Sequence, residues 1–450
     1  LKVISNHPAF HGHDRNIHGV SIDKNILTVD DYPDRVLFMF HDGKYYFISD
    51  NIRFLRRLSR TGFSTNGLIQ LAIYQASLYP YSIYKDIITL PLSSKIIFNR
   101  SGYEIKRLPK KQKPVLDVEG AVDRLNSVFK KDLANIGDRP YHMYSGGVDS
   151  SIVFYHLRDK DTVAGTSIYT RTDAGDLSGG ISYFNELGDF EQNLIHLDEK
   201  DYLNTIDKYH YYIPYVCPGT IDDLFHARDA IKLGCNSIVN GHGSDELMAA
   251  YLFEERKDIS DPDYYLEKYS KFKLKFLMTM FDAEKVYDTI EDSMRELSFK
   301  TLKDKIHWVN VFHQVPLQLS LMMNNSILMG NIPRYMPFSS RDFFDIVMSL
   351  PEELIAQNGI AEYILRYWAR DFLPIRLWAK EKKTFEVDNE KIIDACPSLV
   401  KDILDRKLDN ISQKTGMEDV NKVKEQFDEL FANEKIIFLL YISMINDFQT

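Results

Sequence analysis

Only three cysteines occur in 450 residues, at positions 217, 235 and 396, and no CxxC pair is among them. Neither a disulfide framework nor a thiolate metal site is supported, and buried, inert thiols in a reducing compartment are the expectation. Long apolar runs are missing too. A membrane helix needs ~20 apolar residues, and the longest candidate, IIFLLYISMI near the C-terminus, is about half that. The opening LKVISNHPAFHGHD has no apolar signal core, so a cytoplasmic chain without a membrane partner is expected. Nor is basic charge in excess. Against 55 Lys and Arg stand 65 Asp and Glu, a formal net charge of −10 at pH 7, which argues against nucleic acid as a partner while leaving a local basic patch open. Solenoid-period repeats and long low-complexity tracts are absent as well. With 44% hydrophobic and 27% charged residues, the chain has the make-up of a globular protein of two or three domains.

The first hundred or so residues read as strand-rich. RVLFMFHDGKYYFISD, from Arg35, is two apolar runs joined at His41-Asp42-Gly43-Lys44, where Asp-Gly suits a tight turn. SSKIIFNRSGYEIKRL, from Ser93, repeats the pattern around Arg100-Ser101-Gly102, and NGLIQLAIYQASLY between the two has helical spacing. Residues 1–110 are therefore expected to form a small α+β unit. A polar, proline-bearing linker, LPKKQKPVLD over 108–117, leads to VEGAVDRLNSVFKKDLANI, whose Ala121, Val122, Leu125, Val128 and Phe129 recur at amphipathic-helix spacing.

Strand and helix signals then alternate. HMYS, VAGTSIYT, NLIHL and SIVNG read as strands; SSIVFYHLRD, a segment containing YFNELGDF, and DDLFHARDAIKLG read as helices. Such alternation predicts an α/β fold over 118–250, an open parallel sheet with helices on both faces. From Tyr251 to the end, helices with no further strands are expected.

At the end of the first of those strands stands SGGVDSS, residues 145–151. Ligands of open α/β sheets sit beyond the carboxyl ends of strands. Gly146 and Gly147 let the backbone turn with its N–H groups inward, Ser145 and Ser150 add hydroxyls, and the following helix contributes the positive end of its dipole. These features make an anion site. Asp149 within it repels phosphate unless a cation lies between them, and Mg²⁺ held by one or two carboxylates plus phosphate oxygens resolves the conflict. A second acid at another strand end is then required. SIVNGHGSDELMAAY supplies it, with Gly241-His242-Gly243 as the turn and Asp245 and Glu246 opening a helix. Taken singly, SGG is an ordinary strand-to-helix turn and GHGSDE a capped helix. Occurring together after strands of one sheet, they favour the functional reading.

SGGVDSS resembles the PP-loop of the ATP pyrophosphatases, and GHGSDELMAAY resembles the second signature of the asparagine synthetase superfamily, which includes asparagine synthetases, β-lactam synthetases and lasso-peptide cyclases. Further segments follow in the same order. PRYMPFSSRDFFDIVMSLP, from Pro333, is similar to the family's RVPFLD…LP segment; IAEYILRYWARDFLP, from Ile360, to its K-x-x-LR helix; AKEKKTF, ending at Phe385, to its lysine-bearing loop; and SIYKDIITLPLSSKIIF to the end of its N-terminal domain. The resemblance runs from about residue 35 to about residue 386.

It implies a PP-loop synthetase fold with a helical C-terminal part, preceded by a degenerate glutaminase-like domain. It also implies ATP and Mg²⁺ as cofactors. A substrate carboxylate would attack the α-phosphate, pyrophosphate would leave, and an amine or ammonia would convert the acyl-adenylate to an amide and AMP. Asp149 and Asp245 would hold Mg²⁺, and Ser145, Gly146, Gly147, Val148 and Ser150 would receive pyrophosphate. Tyr144, Ser167, Ile168 and Gly241, at strand ends, complete the nucleotide-binding set. Lys382 aligns with the family lysine, with Lys380 and Lys383 as rival registers, and would offset charge at the acyl centre. Glu246 and His242 complete the catalytic candidates.

Two departures bear on specificity. His242 stands where asparagine synthetases have Glu and β-lactam synthetases Tyr, and resembles the GHG of lasso-peptide cyclases. Imidazole suits proton abstraction from an amine, while a loop histidine that only hydrogen-bonds is the alternative. The chain also begins at Leu1 with Cys217 as its nearest cysteine, so no glutaminase nucleophile is expected unless a longer N-terminus was processed.

The leading expectation is an ATP-dependent, AMP-forming ligase acting on a small-molecule or peptide carboxylate and an amine, closing a lasso- or β-lactam-type ring. A leader peptide or protease would be a partner if the substrate is a peptide. Ammonia-dependent amidation of a small-molecule or sugar carboxylate, a PP-loop RNA-modifying enzyme and a silent binding protein are the alternatives. Tyr211, Tyr212, Tyr215, Trp308 and Phe312 are aromatic candidates for a substrate pocket, or for core packing.

Overall fold

A computed structural model describes residues 3–5, 20–23, 25–30, 36–77, 79–99, 102–108, 114–167, 190–196, 198–211, 213–248, 270, 272–296, 332–357, 360–379, 387–415, 417 and 419–449. Its first eight strands are β1 (Val3–Ser5), β2 (Val20–Asp23), β3 (Ile26–Val29), β4 (Phe38–His41), β5 (Tyr46–Ser49), β6 (Ile87–Thr89), β7 (Ser94–Asn99) and β8 (Gly102–Arg107). They form two antiparallel four-stranded sheets, β1-β5-β4-β6 and β2-β3-β7-β8. The β4–β5 hairpin turns at Gly43, whose φ of 93° suits glycine. Along β7, Ser94, Ile96 and Phe98 are buried while Lys95 and Asn99 are exposed, the alternation of a sheet with one wet face. Leu27, Met39, Ile48 and Ile96 share the core of this unit, where Tyr46 stacks on Phe98 at 3.9 Å. Helices Ile52–Ser59 and Thr65–Tyr74 start where Asn51 and Ser64 accept hydrogen bonds from the amides of Phe54 and Gly67.

The second half of the architecture is a five-stranded parallel sheet made of β9 (Pro140–Met143), β10 (Val163–Ser167), β11 (Glu191–Ile195), β12 (Ser237–Val239) and β13 (Arg334–Tyr335). Its order is β11-β10-β9-β12-β13, so the chain moves outward from β9 to β11 and then returns to the other side of β9. That reversal places the topological switch point between β9 and β12, where doubly wound sheets open a crevice. Helices Val118–Leu133, Val148–His156, Glu199–Lys208 and Gly219–Lys232 connect and cover the strands. Against the expectation of no strand beyond Tyr251, β13 completes this sheet, and a two-stranded ribbon joins β14 (Ala356–Gln357) to β15 (Ile360–Ala361). Strands of two residues are too short to carry a periodic signal.

Helices make up most of the remaining described part, among them Leu274–Met280, Ala283–Glu296, Arg341–Ser349, Tyr363–Ala369, Pro397–Thr415 and Ala432–Gln449. The last buries nearly its whole middle, from Ile436 to Asn446, so the apolar run IIFLLYISMI is a core helix. Among the described residues no helix is long and apolar enough to cross a membrane. This helix also anchors the N-terminal unit. Arg53 donates to the Asp447 carbonyl at 2.8 Å and pairs with the Asp447 carboxylate, Tyr84 donates to the Phe448 carbonyl at 2.7 Å, and Tyr441 donates to the Leu68 carbonyl at 3.2 Å. One hydrophobic core runs through both parts.

Of the cysteines only Cys235 is buried; Cys217 and Cys396 are half-buried, which corrects the expectation for those two. Burial pushes the Cys235 thiol up to about 11, so it is inert. Tyr211 and Tyr215 pack in the core, with the Tyr211 hydroxyl on the Leu440 carbonyl at 3.2 Å. Tyr212, Trp308, Phe312 and, of the segment YFNELGDF where a helix is expected, all residues except Phe190 lie outside the described residues.

Candidate active site

Both signature loops leave neighbouring strands. Pro140, Tyr141 and His142 of β9 pair with Ser237, Ile238 and Val239 of β12, so Ser145–Ser151 and Gly241–Asp245 emerge side by side at the switch point. Gly146 turns the first loop with φ 76°, a conformation that L side chains rarely adopt. The helix then begins at Val148, two residues ahead of the expected start near Ser150. Gly147 stands before it in extended backbone (φ −76°, ψ 169°), and no side chain caps the helix. The helical ladder starts with Ser151 donating to the Gly147 carbonyl at 3.0 Å, which leaves the amides of Val148 and Ser150 outside it. The loop is braced internally. Ser145 Oγ donates to Ser150 Oγ at 3.1 Å, and Ser150 Oγ donates to the Gly147 carbonyl at 3.1 Å. Ser150 and Val148 are buried, so their backbone amides are the donors they offer to a ligand, whereas the Tyr144 amide already donates to the Gly165 carbonyl at 2.8 Å.

His142 ties three elements together beneath the loop. Its Nε2 lies 2.9 Å from the Ser150 carbonyl and its Nδ1 3.2 Å from the Val239 carbonyl. Burial lowers its pKa to about 4, outweighing those two acceptors, so the ring is neutral at physiological pH. Gly241 explains how closely the two loops approach. A Cβ there would meet Ser150 N at 3.2 Å and Asp149 C and Cβ at 3.3 Å. Gly241 thus faces the first turn of the other loop.

The acids converge. Asp149, Asp245 and Glu362 each offer an oxygen within 4.8 Å of the others, with Glu362 fully buried. Three carboxylates at this spacing repel one another unless a cation neutralises them, and an all-oxygen donor set suits Mg²⁺. Glu362 is the functional candidate missing from the sequence motifs. It precedes helix Tyr363–Ala369 with φ 60°, and Arg366 Nη2 approaches its carboxylate at 3.5 Å. Its signal was present in EYILR, since the position that K-x-x-LR gives to lysine is Glu362 here.

His242 lies between Gly241 and Gly243 of the second loop, with 41% of its side chain accessible. Its Nε2 is 3.7 Å from Asp223 Oδ1, and Asp223 Oδ2 accepts from Arg334 Nη2 at 2.8 Å. Both ends of that pair are buried. Burial alone would push the Asp223 carboxyl up; Arg334 and His242 outweigh it and hold the carboxyl below its ordinary value. Ser167, at the end of β10, is buried with its Oγ 2.9 Å from His226 Nε2, and Tyr141 Oη meets His226 Nδ1 at 3.1 Å. Burial lowers the His226 pKa to about 4 as well. Ile168, Lys380, Lys382, Lys383 and the side chain of Glu246 lie outside the described residues.

No curated protein matches the chain. Solved structures similar to it include the U34-tRNA thiolase NcsA from Methanococcus maripaludis (17% identity, 65% of this chain and 94% of that one, TM-score 0.24). The NH3-dependent NAD synthetase from Campylobacter jejuni (14%, 44% and 94%, TM-score 0.23) and the NMN synthetase from Francisella tularensis (12%, 45% and 96%, TM-score 0.25) are others. The family model for asparagine synthase matches residues 135–444, a span that holds β9 to β15 and both signature loops, and the chain belongs to that family.

Proposed function

We propose that this member of the asparagine synthase family is an ATP-dependent, AMP-forming amide ligase that adenylates a carboxylate and passes the acyl group to an amine, closing a ring within one substrate. The observation that carries the reading is the meeting of the two loops at the switch point, with Asp149, Asp245 and Glu362 within 4.8 Å. Mg²⁺ bound by these carboxylates would neutralise the triphosphate. The amides of Gly147, Val148 and Ser150, at the positive end of helix Val148–His156, stabilise the pyrophosphate that departs as the substrate carboxylate bonds to the α-phosphorus. His242, on the rim of the same crevice, accepts a proton from the attacking nitrogen. Lys382 would supply positive charge at the acyl centre.

The test is product analysis. With Mg-ATP and a panel of amino-acid, peptide and sugar carboxylates, with and without ammonium, the enzyme is expected to form AMP and pyrophosphate. Asp149→Asn and Asp245→Asn should each lower that rate by a factor of about 100 or more. ADP and phosphate as products, or full activity in either variant, would overturn the assignment. A product formed only with ammonium would replace ring closure by amidation.

A further inference from the structure

Asp223 belongs to no motif, yet it joins two groups that matter. It sits in helix Gly219–Lys232, which packs against β10 and β12 of the parallel sheet. Its carboxylate is bound on one side by Arg334, with side-chain exposures of 2% and 1% for the pair. Among the described residues Arg334 Nε and Nη1 are buried without a hydrogen-bond partner, and Asp223 is the strong acceptor for this guanidinium. The carboxylate therefore cannot swing away without leaving a buried charge uncompensated. Its other oxygen faces His242 Nε2 at 3.7 Å.

His242 is fixed from the backbone as well. Its N–H donates to Asn240 Oδ1 at 3.2 Å, and its carbonyl accepts from Ser339 Oγ at 2.7 Å. The imidazole thus keeps one nitrogen toward a buried anion, while no described residue hydrogen-bonds Nδ1. An anion beside one ring nitrogen favours the tautomer that carries its proton there.

We infer that Asp223, anchored by Arg334, is the positioning residue of His242: it keeps the proton on Nε2 and leaves Nδ1 as the basic atom that faces the incoming amine. This rests on the reading of His242 as the base. In the step concerned, the amine nitrogen bonds to the acyl carbon and the bond from that carbon to the AMP oxygen breaks, its electron pair leaving on the phosphate. One proton passes from the nitrogen to Nδ1 and then to solvent. While Nδ1 holds it, the imidazolium lies against the Asp223 carboxylate.

The experiment needs no substrate. In full-length protein labelled with ¹⁵N-histidine, long-range ¹H–¹⁵N spectra at alkaline pH report which ring nitrogen carries the proton, and His242→Gln assigns the signal. A solvated neutral histidine already favours Nε2–H, and the wild type should show that tautomer in clear excess over this intrinsic preference. The double variant Asp223→Leu with Arg334→Met removes both buried charges together and should lose that excess, falling to the ratio of a solvated histidine. If it does not fold, Asp223→Asn serves, because an amide presents either an acceptor or a donor to Nε2 and the bias must fall. A dominant Nδ1–H form in the wild type, or an unchanged tautomer ratio in the folded variants, would overturn the inference. The base reading fails separately, if His242→Gln forms amide at the wild-type rate.

Discussion

Glu362 lies with Asp149 and Asp245 inside a 4.8 Å cluster, and each of the three adds one negative charge to the same small volume. If the cluster holds a divalent cation, each charge removed should weaken the metal. Glu362→Gln is expected to lower Mn²⁺ affinity about tenfold, a change of about 1.4 kcal/mol, when followed by electron paramagnetic resonance without nucleotide. Glu362→Lys, which restores the charge of the K-x-x-LR pattern, should abolish that binding. Unaltered Mn²⁺ binding in both would remove Glu362 from the site. The acids at 149 and 245 stood out because glycines surrounded them. Glu362 did not, because a glutamate opening a helix is ordinary helix chemistry until its neighbours in space are known.

At the scale of elements, the site depends on how closely two strand-to-helix connections approach. The absence of a side chain at Gly241 lets the second loop rest on the first turn of helix Val148–His156. Gly241→Ala would press a methyl against backbone atoms at 3.2–3.3 Å, which must move by a few tenths of an ångström. A loss of about 1–3 kcal/mol in stability is expected from urea unfolding, with a weaker affinity for ATP, since the phosphate-facing amides shift with that turn. Gly43 is a useful contrast because nothing lies within 4 Å of a Cβ there, so its positive φ alone demands glycine. The β4–β5 hairpin, the helix Val118–Leu133 and the strand-helix alternation around β9 to β12 were legible because each repeats its pattern over several residues. β13 was not, having two residues.

For the molecule as a whole, buried polar groups tie stability to pH. His142 and His226 are fully buried, and burial lowers each from an ordinary 6.5 to about 4. Their contribution is therefore complete above the unfolded value near 6.5. It is lost as pH falls from there toward 4, because the unfolded chain takes up protons that the folded one refuses. The urea midpoint should drop between pH 7 and pH 5 by the equivalent of about 2 kcal/mol for each histidine. A midpoint that stayed level across that interval would contradict the neutral, buried state of both rings. Loss of the N-terminal unit should accompany loss of the sheet in one transition, since Arg53, Tyr84 and Tyr441 lock the two parts through a shared core.

By itself the sequence determined the local chemistry: loops of glycine and acid after parallel strands, the turn at Asp42-Gly43, the helices with an apolar stripe, and a chain with no cysteine framework. Those properties arise from neighbours a few residues apart, so they survive in a string of letters. Which strand lies beside which is set by non-local pairing. Only the tertiary structure made β9 and β12 adjacent, carried Glu362 to Asp149 across more than two hundred residues, and set Asp223 between His242 and Arg334. Buried charges are costly alone and stable when matched, and the matching partner is chosen by packing, which sequence spacing does not record.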